Sequence, residues 1–370
     1  MKQMKQQLVT LLTLLVISVQ VNATAVNKKI LMVVSGHGQQ QGETTPGYEF
    51  DEFSKAYSVF KANGITVDIA SPDGGKVEAD KYDPKKSYNA QVLKDTAIMA
   101  KLDNTIATNK LNAKAYDAVF IVGGKGAMFD LPKDQALQSV IADIYQQQGT
   151  VAAVCHGPAA LVDVKLNDGS YLVANKAING FTNKEEQLFG KKWLNKFEFM
   201  LEDKLTERGG KFQSSEIMLS HVAVDERLIT GQNPTSTVDV ATELVKSLGL
   251  IPVTTKQDIE DKTLAVVADL LAGDKLAAQR LTDNQDQYQI ALVGMYGFYY
   301  LKVAQTNEHF ENALTLMTVA QKAINNPMLD MKIAKTQYKL GKAKEAKITL
   351  NQLLATKPDY KPALDMLKTL

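Results

Sequence analysis

Apolar residues follow two rhythms along this 370-residue chain. Up to about residue 250, short apolar runs alternate with amphipathic stretches. "ILMVV" (Ile30 to Val34) is a continuous apolar run stopping at "SGHG", which predicts a strand and then a loop. "DEFSKAYSVFKANG" carries Phe53, Tyr57 and Phe60 at helical spacing and stops at Gly64. "ITVDIAS" predicts a strand ended by "PDGG". "DAVFIVGG" predicts a strand and a glycine turn, "DQALQSVIADIYQQQG" a helix with a glycine stop, and "TVAAV" a strand. "MLSHVAVDERLITGQ" reads as two strands around an Asp-Glu turn, and "TSTVDVATELVKSLG" as a closing helix. Strands alternating with helices of this length predict an α/β fold, a parallel sheet covered on both faces. The polar, aromatic-poor segment Tyr82 to Lys114 is expected to be an excursion beside that sheet.

After "LIPVTTKQD" the rhythm changes. From about Asp258 to Leu370 there are few glycines, no convincing strands and long helical periodicity, which predicts an all-α region. In "AKTQYKLGKAKEAKITLNQLLATKPDYKPAL", Leu340-Gly341, Ala346 and Pro358 follow the spacing of a tetratricopeptide helix pair. "ENALTLMTVAQKAINNP" and "LLAGDKLAAQRL" read as degenerate copies, with an ordinary helical bundle as the alternative. So few units rarely stand alone, so packing against the first domain is expected. The organisation is thus a leader over 1–25, an α/β domain over 26–250 and a helical, tetratricopeptide-like region over 258–370.

The leader reading rests on Lys2 and Lys5, the short apolar run Leu8 to Val19, and Ala23-Thr24-Ala25 or Val21-Asn22-Ala23 as a small-x-small cleavage site. That run of about 12 residues is short against the roughly 20 that span a bilayer. A cleaved secretory signal is expected, with a periplasmic or secreted product and no stable membrane insertion. Lys plus Arg is 42 and Asp plus Glu is 41, a balance that offers no electrostatic reason for a nucleic-acid partner.

Export sharpens the question of Cys155, the single cysteine of the chain. Exported compartments favour disulfides, and one cysteine forms none within the chain. It is an intermolecular bridge, a reactive thiol or an inert buried residue. "TVAAVCHGPAAL" reads as strand, abrupt turn and helix, with Cys155 at the turn and Gly157-Pro158 opening the helix. A thiol there meets exposed N–H groups, which favour the nucleophilic thiolate. The turn also projects the side chain at the carboxyl edge of the sheet, where open α/β sheets place ligands.

"AAVCHGPAAL", with "GYEFDEF", "VGGKGAMFDLP", "NGFTNKEEQ" and "ITGQNPTS" in order, resembles the ThiJ/PfpI superfamily over about Lys29 to Leu250. The resemblance is strongest to its branch of heat-shock chaperones and glutathione-independent glyoxalases. It implies a type 1 glutamine amidotransferase-like, flavodoxin-like fold with a nucleophile elbow. It implies Cys155 as nucleophile and His156 as its partner. It implies Glu186, six residues after Gly180, as the acid orienting that histidine, with Glu185 as the alternative for a local slip of one. Glu52, five after Gly47, falls beside the nucleophile. Gly123, Gly124 and Gly157 match positions whose N–H groups form an oxyanion pocket. The implied activity is a lyase-class glyoxalase, or a related deglycase or hydrolase, taking a small aldehyde such as methylglyoxal, with no metal and no organic cofactor. Two departures bear on substrate: Lys125 stands where the branch often has histidine ("GGKG" for "GGHG"), and Lys55-Ala56 stand where "HP" is usual.

The four histidines show no metal-ligand spacing. His37, at the sheet's carboxyl edge, is expected on a solvated loop with a pocket-lining role as the alternative, His221 is even between pocket wall and core, and His309 is expected at the surface. No phosphate loop or dinucleotide fingerprint is present. Two function classes remain: a cysteine-dependent enzyme, and a periplasmic holdase or scaffold that binds a protein partner through the C-terminal helices. A homodimer is compatible with either.

Overall fold

The computed structural model describes residues 27–255, 257–321 and 323–370. The expected leader and its cleavage site lie outside the described residues. The strands are β1 (Lys29–Val33), β2 (Thr66–Ser71), β3 (Ile106–Ala107), β4 (Ala118–Ile121), β5 (Thr150–Val154), β6 (Ala177–Ile178), β7 (Lys211–Phe212), β8 (Val222–Asp225) and β9 (Leu228–Gly231). Seven form one sheet in the order β3-β2-β1-β4-β5-β9-β8, while β6 and β7 pair separately. All pairings of the large sheet are parallel except the β8–β9 hairpin.

Helices α1 (Phe50–Ala62), α2 (Ser87–Lys94), α3 (Thr96–Asp103), α4 (Gln135–Gln146), α5 (Asn183–Phe189), α6 (Leu201–Glu207) and α7 (Thr237–Ser247) flank the sheet. The two-residue period of the strands sorts their side chains between two cores. Leu31, Val33, Val151 and Ala153 face Leu137, Ile141 and Ile144 of α4. Ile30, Met32, Ala152 and Val154 face Phe53, Phe60 and α7 residues Val240 and Leu244. Burial on both faces is why these strands read as unbroken apolar runs. The 82–114 excursion differs in detail from expectation. It holds α2 and α3 and supplies β3, which pairs with β2 at the sheet edge.

The strand order reverses direction between β1 and β4, so the carboxyl ends of β1, β4 and β5 open at a topological switch point. The loops following these three strands carry His37, Gly123-Gly124 and Cys155.

Beyond α7 the described chain is all helical: α8 (Ile259–Leu271), α9 (Ala277–Asp283), α10 (Ile290–Val303), α11 (Asn307–Gln321), α12 (Pro327–Lys339), α13 (Ala343–Thr356) and α14 (Lys361–Leu367). Gly341, at φ +76°, turns the chain between α12 and α13, and Ala346 is buried where those helices meet. Met331, Ala334, Leu350, Leu353 and Ala363 make a small core of α12 to α14 alone, whereas the earlier helices share theirs with the α/β part. Ile217 and Leu219 of the α/β part are buried in one cluster with Leu264, Val267, Val293, Tyr296 and Tyr300. None of the described helices is long and apolar enough to cross a membrane.

Candidate active site

Strand β5 ends at Val154, and Cys155 takes φ +59°, a left-handed conformation that costs a non-glycine residue on the order of 1–3 kcal/mol. Two backbone bonds hold it there: Cys155 N donates to Gly231 O (2.9 Å), and Phe181 N donates to Cys155 O (2.8 Å). The strained turn brings the sulfur back over the next residue. Cys155 Sγ lies 3.4 Å from His156 Nδ1, and His156 Nε2 lies 2.7 Å from Glu186 Oε2. Cys155 is 4% exposed and His156 1%, so the array is almost wholly withdrawn from solvent. The imidazole is braced by Phe181 at 4.5 Å and Phe197 at 6.2 Å between ring centroids.

Glu52 projects from the first turn of α1 and is fully buried. Its Oε2 accepts a hydrogen bond from Gly123 N (2.7 Å). Its Oε1 has no conventional partner, and the Cys155 thiol lies within interaction range of the carboxyl group. Burial, then the neighbouring Glu49, push Glu52 well above the carboxylate range, while the Cys155 thiol and the Gly123 N–H act in the opposite sense. Burial, then the Glu52 charge, push the Cys155 thiol up, and Lys125 acts in the opposite sense. Burial thus favours the protonated form of both groups, and a proton on Glu52 removes the charge that raises the thiol.

Three expectations are corrected. The segment after Cys155 is a 3₁₀ run, Gly157–Leu161, rather than a full helix. So short a run offers little dipole, and burial, the largest influence on the thiol, raises it. Gly123 does not offer its N–H to an oxyanion, because Glu52 already takes it. A Cβ there would sit 2.6 Å from Glu52 Oε2 and 2.8 Å from Cys155 Cβ, so only glycine fits. Among the described residues the Gly124 and Gly157 N–H groups remain without an acceptor. Finally, Glu185 is no alternative to Glu186 and no bystander. Its Oε2 accepts from Thr182 N (3.0 Å) and Thr182 Oγ1 (2.8 Å). Its Oε1 accepts from Met218 N (2.6 Å), Gln232 Nε2 (3.0 Å) and Asn233 Nδ2 (2.9 Å).

His37 is half-buried and stacks on Phe129 with rings 4.7 Å apart, where a solvated loop was expected. Burial, helped by Lys133, lowers its pKa. His221 is tied by its carbonyl to Gln232 N and Asn179 Nδ2 beside β8 and β9. His309 stacks edge-on against Tyr300 among the C-terminal helices and is half-buried rather than at the surface. Sequence reasoning missed Glu49 and Asp80. Burial pushes Glu49 up to about 7 with help from Asp51 and Asp80, and Lys125 opposes this. Asp80 is also raised by burial, although Lys125, His156 and Lys192 oppose the rise. The signal for Glu49 was its place three residues before Glu52 in "GYEFDE", one helical turn away. Among the described residues no group of three or more His, Cys, Asp and Glu could hold a metal ion. A groove of about 1420 Å³ runs between α1, α7 and α8, and Cys155 does not line it.

A model of the DJ-1/PfpI family matches residues 44–247, more than half of the chain and the whole of this array. The chain belongs to the DJ-1/PfpI family. A glutathione-independent glyoxalase of Schizosaccharomyces pombe is 33% identical over 233 residues, covering 59% of this DJ-1/PfpI chain and 95% of the relative. One of Saccharomyces cerevisiae is 30% identical over 236 residues, covering 60% and 98%. Rapid Encystment Protein 24 kDa of Francisella tularensis aligns in structure with a TM-score of 0.56 at 34% identity, covering 60% and 99%. Glyoxalase III of Candida albicans shares the fold, with a TM-score of 0.55 at 24% identity over 60% and 97%. These relatives are spanned almost end to end by the DJ-1/PfpI part, and the C-terminal helices lie beyond the family match.

Proposed function

We propose that this DJ-1/PfpI protein is an exported glutathione-independent glyoxalase that converts methylglyoxal, or a similarly small 2-oxoaldehyde, to the 2-hydroxy acid. The observation carrying this reading is the continuous array Glu52, Cys155 Sγ, His156 and Glu186 at the switch point, with sulfur-to-imidazole and imidazole-to-carboxylate separations of 3.4 and 2.7 Å. The names of the relatives support the same activity. The near-complete burial of Cys155 favours a substrate of few atoms.

In this reading His156 Nδ1 takes the thiol proton as Sγ adds to the aldehyde carbon, and returns it to the aldehyde oxygen, giving a hemithioacetal. The free imidazole then removes the hydrogen on C1. The resulting enediolate is reprotonated at C2 by the same imidazolium, while the hydroxyl proton on O1 moves to O2. C1 is now a thioester carbonyl and C2 carries the hydroxyl. Water displaces the sulfur, releasing lactate and the thiol, so one water is consumed and no electrons leave the substrate. Glu186 keeps Nε2 protonated and stabilises the imidazolium at each stage. Protonated Glu52 faces the sulfur and stabilises its anionic form. Gly124 and Gly157 N–H groups receive developing negative charge on substrate oxygen.

The test is lactate formation from methylglyoxal without glutathione. Wild type yields lactate and Cys155→Ala yields none. Protection of unfolded client proteins that is equal with and without Cys155, together with no lactate from wild type, overturns the enzyme in favour of a holdase.

A further inference from the structure

We propose that the C-terminal helices brace the active site, with α8 positioning Glu52 through α1 and α10 positioning Glu186 through α5. The inference rests on the catalytic reading of those two carboxylates. On α1, the residues on either side of Glu52 are tied to consecutive residues of α8. Lys55, one turn beyond Glu52, pairs with Asp261 at 2.7 Å, their side chains 9% and 11% exposed. Asp51, just before Glu52, is bridged by Lys86 Nζ (2.9 Å) to Glu260 (3.0 Å). A buried ion pair is strongly directional, and loss of one partner leaves an uncompensated charge, so Lys55 and Asp261 fix the rotation of α1 relative to α8.

On α5, Phe189 packs against Tyr299 of α10, with ring centroids 5.0 Å apart. Leu188 joins the apolar cluster of the C-terminal helices. Behind α5, segment 216–219 is held from both sides. Tyr300 Oη donates to Glu216 (3.3 Å), and Ile217 and Leu219 are buried among the C-terminal helices. From the other side Met218 N donates to Glu185, the residue beside Glu186. Displacing α10 therefore moves two attachments of the helix that presents Glu186 to His156. About 60% of this chain already covers 95–99% of these relatives, which leaves them little length for a counterpart of the C-terminal helices.

Lys55, Asp261, Phe189 and Tyr299 are positioning residues, and the test is a pair of double-mutant cycles in the full chain. Tyr299→Ala should lower kcat for lactate about threefold to thirtyfold with KM little changed, and should add nothing on a Glu186→Gln background. Asp261→Asn should change the rate of Cys155 alkylation at pH 7 by a similar factor, and should add nothing on a Glu52→Gln background. Tyr299→Leu and the paired replacement Lys55→Met with Asp261→Leu guard against misfolding. The paired replacement restores apolar packing and should recover the wild-type alkylation rate. Folded single variants with unchanged kcat and alkylation, or effects that add in full on the carboxylate backgrounds, overturn the brace. A wild type that makes no lactate refutes the glyoxalase reading alone, because the alkylation cycle still judges the brace.

Discussion

Replacing Glu185 by glutamine separates the two neighbouring glutamates of α5. The carboxylate accepts five hydrogen bonds, three on Oε1 and two on Oε2. An amide turned with its NH₂ toward Thr182 keeps the three Oε1 acceptances, and the Thr182 hydroxyl can rotate to accept. Thr182 N then faces a donor and is left unsatisfied in a buried site, a loss of about 1–3 kcal/mol. The three retained bonds fall from charge-assisted to neutral strength, roughly another 1 kcal/mol each. Relief from burying a charge offsets part of this. The expected net loss is about 2–4 kcal/mol, a large share of ordinary stability. It corresponds to roughly 4–16 °C in Tm for a domain of this size. Thermal and urea unfolding of purified Glu185→Gln beside wild type measure it. A Tm within about 1 °C of wild type would refute the reasoning and show that the network tolerates a donor at this point.

Three other variants test the array. Glu186→Gln retains an acceptor for His156 Nε2 but removes its charge, so kcat for lactate should fall by about 10²-fold or more, with Tm moved far less than in Glu185→Gln. Lys125→Met removes the cation that opposes the rise of the Cys155 thiol, so Cys155 should alkylate more slowly at pH 7, and an unchanged rate refutes that influence. Glu49, pushed up from 4.5 to about 7, keeps a proton in the folded state that the unfolded chain releases. Its stabilising contribution is complete below about pH 4.5 and is lost as pH rises to about 7. The fall in urea midpoint between pH 4.5 and 7 should therefore shrink in Glu49→Gln.

The main strands and helices of the α/β part were legible because burial on two faces makes strands such as "ILMVV" and "TVAAV" uniformly apolar, while α1 and α4 keep a helical stripe. The two-residue strand β3 was not, since Ile106-Ala107 is too short for any period. Cys155 and His156 stood out as a pair, and counting along the family's motifs reached Glu52 and Glu186. Electrostatics was the illegible part. "GPAAL" contains nothing that distinguishes a 3₁₀ run from a helix. The state of the thiol depends on Glu49 and Glu52 at the start of α1 and on Lys125 in the turn after β4, which only the tertiary fold brings together. Glu185 looked interchangeable with its neighbour because three of its five donors come from residues 218–233. Both faces of that distinction arise from tertiary structure.

The connection between α7 and α8 is short, running from Leu248 to Asp258. A tether of that length holds its two ends at an effective concentration in the millimolar range. An intrinsic affinity of only about 10 μM between the helices and the α/β part would then keep them docked about 99% of the time. Docking of this kind is insensitive to dilution, unlike association of separate chains. A proteolytic cut between α7 and α8 would leave the contacts unaltered yet make their occupancy depend on protein concentration.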